Sequence, residues 1–149
     1  MKVYVGADHN GFELKGQLIG YLKKLGYSVV DKGNKKLKSD DDFPDYALEV
    51  VDALLTSSDA DPKGILICAS GQGMCMVANR FKGIRASLIR DVEEARMGRN
   101  DDDSNVLCLA SRMLSADQAE SVVRTWLTTP FSGASRFQRR IREIDNFGS

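Results

Sequence analysis

A cysteine stands where an apolar run gives way to a glycine-rich turn. Gly64-Ile65-Leu66-Ile67-Cys68 is a series of β-forming residues, and Ala69-Ser70-Gly71-Gln72-Gly73-Met74 follows as small residues opening a helix. A thiol is thereby placed at the carboxyl end of a buried strand, beside backbone amides free to bind an anion. Such a cysteine is a candidate reactive thiol, whereas Cys75 and Cys108, inside helix and strand patterns, read as small buried hydrophobes. The turn lacks a full dinucleotide fingerprint and has no Lys-Ser/Thr ending, so a generic anion nest fits it better than a nucleotide loop. A second stretch, Gly6-Ala7-Asp8-His9-Asn10-Gly11, puts a carboxylate and an imidazole after the first apolar run. A third carries Arg136 and Arg140, spaced to share one face of a helix, though Arg139 and Arg142 beside them also suit a solvated helix.

The elements that must position these residues alternate along the chain. Lys2 to Gly6 reads as a strand. Phe12 to Leu25 reads as an amphipathic helix, with Leu14, Leu18, Tyr21, Leu22 and Leu25 on one face and Gly26 ending it. Further strands are expected at Tyr27 to Asp31, Gly64 to Cys68, Ile84 to Ile89 and Asn105 to Ala110. Helices are expected at Asp45 to Leu55, Gln72 to Arg80 and Val92 to Arg99, and from Ser115, an N-cap with Gln118 completing a capping box, to Leu127. Strands separated by single helices imply crossovers, and so a Rossmann-like three-layer α/β/α sandwich with a five-stranded parallel sheet. A strand order of 2-1-3-4-5 puts the switch point between strands one and three, where Asp8, His9 and Cys68 converge on one crevice. Residues 32 to 43, with four lysines and three consecutive aspartates, form a solvated loop or, at an active edge, a lid.

Composition excludes several classes. Lys+Arg and Asp+Glu both number 21, so no net field draws nucleic acid or an anionic membrane. No apolar segment approaches the ~18 residues of a membrane span, and no charged leader precedes the first strand. The 149 residues are expected to form one domain, with 131–149 as a helical tail. Three cysteines in or beside apolar segments do not make a disulfide framework, which favours a reducing, cytoplasmic setting.

Nearly the whole chain resembles the type B ribose-5-phosphate isomerase and galactose-6-phosphate isomerase subunit family. The matching pieces are Gly6 to Gly11 with Phe12-Glu13-Leu14-Lys15, Phe43-Pro44-Asp45-Tyr46-Ala47, and Gly64 to Met74. Ala78-Asn79-Arg80, Gly83-Ile84-Arg85-Ala86, Asn105-Val106-Leu107 and the arginine-bearing tail complete the set. The resemblance implies aldose–ketose isomerisation of a sugar phosphate through a cis-enediolate, without metal or organic cofactor. It assigns the enolising base to Cys68, a hydroxyl near the ring oxygen to Ser70 and a carboxylate near substrate hydroxyls to Asp8. The amides of Gly71, Gln72, Gly73 and Met74 fall where the enediolate oxygens are stabilised. His9, Arg112, Arg136 and Arg140 fall on phosphate-contacting positions, where guanidinium offers paired N–H donors.

The chain also departs from the family. Phe137 stands where relatives usually place a histidine. In Arg99-Asn100-Asp101-Asp102-Asp103-Ser104-Asn105, Asp101 takes the place of the histidine assigned to furanose ring opening, and Asp102 that of an asparagine at the enediolate. An aspartate with an ordinary pKa of ~3.9 is a poor acid at neutral pH. Either ring opening proceeds differently or the substrate has no ring, as for a four-carbon phosphate such as erythrulose or erythrose 4-phosphate; alternatively the aspartates are a solvated turn. This segment precedes strand five, at the edge opposite Cys68, so it reaches a site only across a two-fold interface, in a homodimer or a tetramer built from it. A phosphosugar-binding module without turnover remains the non-enzymatic alternative. A thiol redox protein is disfavoured, because Cys75 lies seven residues from Cys68 rather than in a Cys-x-x-Cys.

Overall fold

In a computed structural model that describes residues 1–147, strands and helices alternate from β1 (Lys2–Ala7), α1 (Phe12–Lys24) and β2 (Ser28–Asp31) to α2 (Phe43–Leu55) and β3 (Lys63–Cys68). They continue through α3 (Gln72–Ala78), β4 (Ala86–Leu88), α4 (Val92–Asn100), β5 (Val106–Ala110), α5 (Ala116–Thr128) and α6 (Ser135–Asn146). The expected tail is thus helical from Ser135, and its last two positions, 148 and 149, lie outside the described residues. Every strand pairing is parallel. Leu14, Leu18 and Leu22 bury the inner stripe of α1, and Gly26, at φ 89°, supplies the left-handed turn after it. Ser115 and Gln118 form the expected capping box on α5.

The sheet order is β2-β1-β3-β5-β4, which corrects the expected 2-1-3-4-5. All five residues of β5 are buried, so both of its faces need cover, whereas the three residues of β4 are half-buried and suit an edge. The switch point between β1 and β3 survives this change. The new neighbour matters more: Cys68 on β3 pairs in register with Ala110 on β5, so the residues after both strands leave the sheet side by side.

Two apolar layers sandwich the sheet. One joins β1, β3 and β5 to α1 and α5 through Val5, Leu18, Ile65, Leu107, Val123 and Trp126; the other seats α2 and α3 through Val50, Leu54, Leu66, Met74 and Ala78. Trp126 is fully buried, and its indole N–H donates to the equally buried Ser104 hydroxyl at 2.8 Å. Truncating such a side chain costs about 3–5 kcal/mol. No residue of α6 is buried. No helix among the described residues is long and apolar enough to cross a membrane.

Candidate active site

Cys68, Asp8, His9 and Arg112 come together at the carboxyl ends of β1, β3 and β5. The Asp8 N–H donates to the Ile67 carbonyl at 3.3 Å, which lays the β1 exit across the end of β3. Gly11 permits that approach, because a Cβ there would lie 2.5 Å from the Ile67 carbonyl oxygen. The Asp8 carboxylate accepts from the Asn10 and Gly11 N–H groups at 3.0 and 3.2 Å, which fixes the turn into α1. From β5, the Ser111 and Arg112 N–H groups donate to the Cys68 and Ala69 carbonyls at 2.9 and 3.1 Å.

Cys68 is 5% exposed, and its Sγ accepts the Gly71 N–H at 3.1 Å. Gly71 adopts φ 73°, left-handed backbone that turns the chain sharply from β3 into α3. The Ser70 hydroxyl accepts the Gln72 N–H at 3.3 Å. The first intrahelical bond, Cys75 N–H to the Gly71 carbonyl at 3.2 Å, leaves the Gly73 and Met74 amides without an acceptor inside α3. Met74 presents only its backbone, since its side chain lies in the core. Phe43 packs its ring against Gly73, where a Cβ would lie 2.5 Å from the ring.

His9 is tied to a residue that sequence reasoning missed. Its Nδ1 lies 2.7 Å from Asp41 Oδ1, and its backbone N–H donates to the same oxygen at 3.1 Å. The Asp41 hydrogen bond, reinforced by the Asp8 and Asp41 charges, raises the imidazole pKa above 6.5 against burial and the Arg112 charge. Asp8, His9 and Asp41 offer ligand atoms within 4.8 Å of one another, a composition that suits a metal ion. The hydrogen bonds just described account for the cluster: Asp8 fixes a turn and Asp41 holds the imidazole.

The other candidate residues gather at the opposite end of the sheet. Asp101 accepts the Asn100 side-chain amide at 2.7 Å. Asp103, at φ 46°, ties down the turn, binding Arg99 at 2.8 Å and Arg85 at 3.2 Å. Arg85 also reaches Asp145 of α6 at 3.4 Å, so α6 docks beside the three aspartates. Burial and the neighbouring Asp101 charge push the Asp102 pKa up, while Arg140 and Arg85 oppose them. The Arg136 and Arg140 guanidinium groups flank the Phe137 ring at 4.3 and 5.9 Å from its centroid, an arrangement that a cation–π attraction favours. Asp101, Asp102, Arg136 and Arg140 therefore form one group, at the end of the sheet away from Cys68.

Cys75 also departs from the sequence reading. Its half-buried thiol meets Cys108, and this contact, with a backbone contact at Leu88, lowers its pKa to about 7 despite burial; Cys108, buried against it, is pushed well up. Neither helix nor strand periodicity registers a meeting of two thiols across α3 and β5.

Residues 3–144 match the sequence profile of the ribose/galactose isomerase family. The chain belongs to this family. A probable ribose-5-phosphate isomerase B of Mycoplasma genitalium is 39% identical over 142 residues, spanning 95% of this chain and 92% of that protein. Among solved structures, ribose 5-phosphate isomerase B of Thermotoga maritima matches with a TM-score of 0.90 at 43% identity, covering 97% of each chain. The Mycoplasma genitalium enzyme with bound ribulose-5-phosphate matches with a TM-score of 0.93 at 38% identity, covering 98% of this chain and 95% of that one. In this ribose/galactose isomerase family member the main clefts lie away from Cys68. Clefts of about 490 and 630 Å3 lie beside the 79–84 turn and along α4 and α5, and neither includes Cys68 or Asp8. A cleft of about 270 Å3 adjoins the site, lined by Asn10, Glu13, Gln17, Ser111 and Arg112 among others.

Proposed function

We propose that the protein interconverts an aldose phosphate and its ketose, of the ribose 5-phosphate/ribulose 5-phosphate type, with Cys68 as the enolising base. The observation that carries this reading is the convergence of Cys68, Asp8, His9 and Arg112 at one edge of the sheet. As thiolate, Cys68 takes the proton from C2 of the open-chain aldose and returns it to C1. The electron pair passes into a cis-enediolate, across whose neighbouring oxygens the hydroxyl proton moves from O2 to O1 and whose charge meets the Gly73 and Met74 amides; donors of this kind are each worth ~3 kcal/mol in related chemistry. Asp8 orients the substrate hydroxyls and Ser70 the ring oxygen, while His9 and Arg112 take the phosphate. Proton exchange from solvent into the sugar, lost in Cys68→Ala, tests the assignment; full exchange by that variant would remove it.

Arg136, Arg140, Asp101 and Asp102 complete the site in a second copy of the chain. A two-fold axis that lays the sheet end bearing α6 against the Cys68 edge of its mate brings both groups to one substrate. The absence of any buried residue on α6 supports this placement. Mixing Cys68→Ala subunits with Arg140→Ala subunits under exchange, assayed at substrate concentrations far below the raised KM of Arg140→Ala, tests it. Composite sites regain up to about a quarter of wild-type activity, because half of the dimers pair the two variants and each such dimer holds one intact site. No recovery above the sum of the parents would place both groups in one subunit.

A tetrose-phosphate isomerase is the second reading, favoured by the aspartate at position 101. A substrate without a ring needs no ring-opening acid, whereas ribose 5-phosphate presents little of its reactive open form, which lowers apparent affinity in proportion. On this reading kcat/KM favours four-carbon phosphates, and Asp101→His raises turnover of furanose substrates more than of linear ones. Efficient ribose 5-phosphate turnover with none of the four-carbon phosphates would return the protein to the pentose assignment.

A further inference from the structure

The segment between β2 and α2 reads as a solvated stretch, yet a series of polar contacts ties it to the site. Lys15 on α1, with its side chain 3% exposed, reaches Asp31 at 3.0 Å and the Asn34 carbonyl at 2.6 Å. The Asn34 side-chain amide donates to the Tyr46 hydroxyl. Tyr46 lies near Asp41, whose pKa falls below its ordinary value chiefly through the two His9 hydrogen bonds, with a smaller contribution from Tyr46, against burial. Asp41, 5% exposed at its side chain, then holds both the ring and the backbone N–H of His9. Asp41 touches the imidazole, and Tyr46, Asn34 and Lys15 stand behind it, from α2, the loop and α1.

We propose that Asp41 is a positioning residue that orients His9 for the substrate phosphate, with the 32–42 segment acting as its strap. The inference rests on the reading of His9 as a phosphate donor. A carboxylate oxygen only accepts, so Nδ1 of His9 must carry a proton and donate. The opposite nitrogen, Nε2, is left as the nitrogen available to a ligand. A second carboxylate, Asp8, and one cation, Arg112, face the same ring, and Tyr46 faces Asp41. The balance favours the imidazolium, in which Nε2 also donates and a positive charge meets the phosphate dianion. Its contribution is present below pH 6.5 and fades as the pH rises through the raised pKa.

The chain contains one histidine, so the His9 ring protons titrate alone in an NMR spectrum. In the wild type the midpoint lies above 6.5; in Asp41→Asn, which keeps the shape and drops the charge, it falls. Inorganic phosphate binding at neutral pH weakens about tenfold in that variant, the weight of one hydrogen bond to a charged group. It converges with wild type at pH values where both rings are protonated. With sugar phosphate, KM rises while kcat stays within a few-fold, and Asp41→Glu restores part of the loss. An unmoved His9 midpoint in Asp41→Asn overturns the proposal, as does a fall in kcat at constant KM. Should Asp41→Asn fold poorly, Asp41→Ser is read in the same measurements. His9→Ala separates the two layers of inference. Unchanged phosphate binding in that variant removes the phosphate reading of His9 itself, whereas weakened binding there with wild-type behaviour in Asp41→Asn removes only the strap.

Discussion

The two ends of the sheet are built differently. At the carboxyl end, Asp8, Cys68 and the Gly71 turn are buried or fixed by backbone hydrogen bonds, and glycines at 11, 71 and 73 let neighbouring segments approach to contact. At the amino end, Arg136 and Arg140 are exposed on a helix without one buried residue, anchored through the Arg85–Asp145 ion pair. The first is pre-organised, as groups that handle a transition state must be. The second has donors and charge but little packing to hold them, which suits residues that meet a ligand when another surface covers them. On the proposed function this is a division of labour: the pre-organised end carries the reaction and holds part of the phosphate through His9 and Arg112, while the exposed end adds the Arg136 and Arg140 guanidinium groups to that phosphate once a second copy covers it.

The largest effect that can break this contrast is expected from Cys68→Ala. It lowers kcat by orders of magnitude while phosphate-ligand affinity stays nearly constant, because the base acts on the transition state more than on ground-state binding. Removing the Arg136 or Arg140 guanidinium does the reverse, raising KM by roughly ten- to a hundredfold with kcat little changed, the usual range for a hydrogen bond to a charged group. If both sets of variants move the same kinetic parameter, the division fails. Gly71→Ala sharpens it. A Cβ there would lie 2.5 Å from Leu88 and 3.1 Å from the Leu109 backbone, at φ 73°. Chemical denaturation should register a loss of about 1–3 kcal/mol, with kcat reduced through the displaced amides. The smallest effect belongs to Cys75→Ala, which leaves turnover within a few-fold and assigns thiol chemistry to Cys68 alone.

Much of this was legible in the sequence, and the exceptions have physical causes. Apolar runs and helical periods located the elements, since each buries a definite face. Strand order departs from the sequence expectation because β4 and β5, consecutive in sequence, exchange places in the sheet. The cue lay in composition: Val106-Leu107-Cys108-Leu109-Ala110 is apolar on both faces, whereas Ala86-Ser87-Leu88 carries a polar residue suited to an edge. That correction is what sets Arg112 beside Cys68. Asp41 was invisible because its partner is 32 residues away across an irregular segment. The three aspartates looked alike in the sequence, yet Asp103 pins two arginines, Asp102 faces Arg140, and Asp101 is bonded to its own neighbour. Only the fold distinguishes such roles.

The Cys75–Cys108 contact bears on how the chain responds to electrophiles. A thiol with a pKa of about 7 is about half ionised at neutral pH, and Cys75 is less buried than Cys68. Iodoacetamide or a maleimide therefore has a second target in Cys75, on the helix that carries the Gly71 turn. Inactivation by such reagents does not by itself distinguish an adduct on Cys68 from one on Cys75. Covalent labelling becomes informative only in the Cys75→Ala background, where protection of the remaining thiols by sugar phosphate can be read directly.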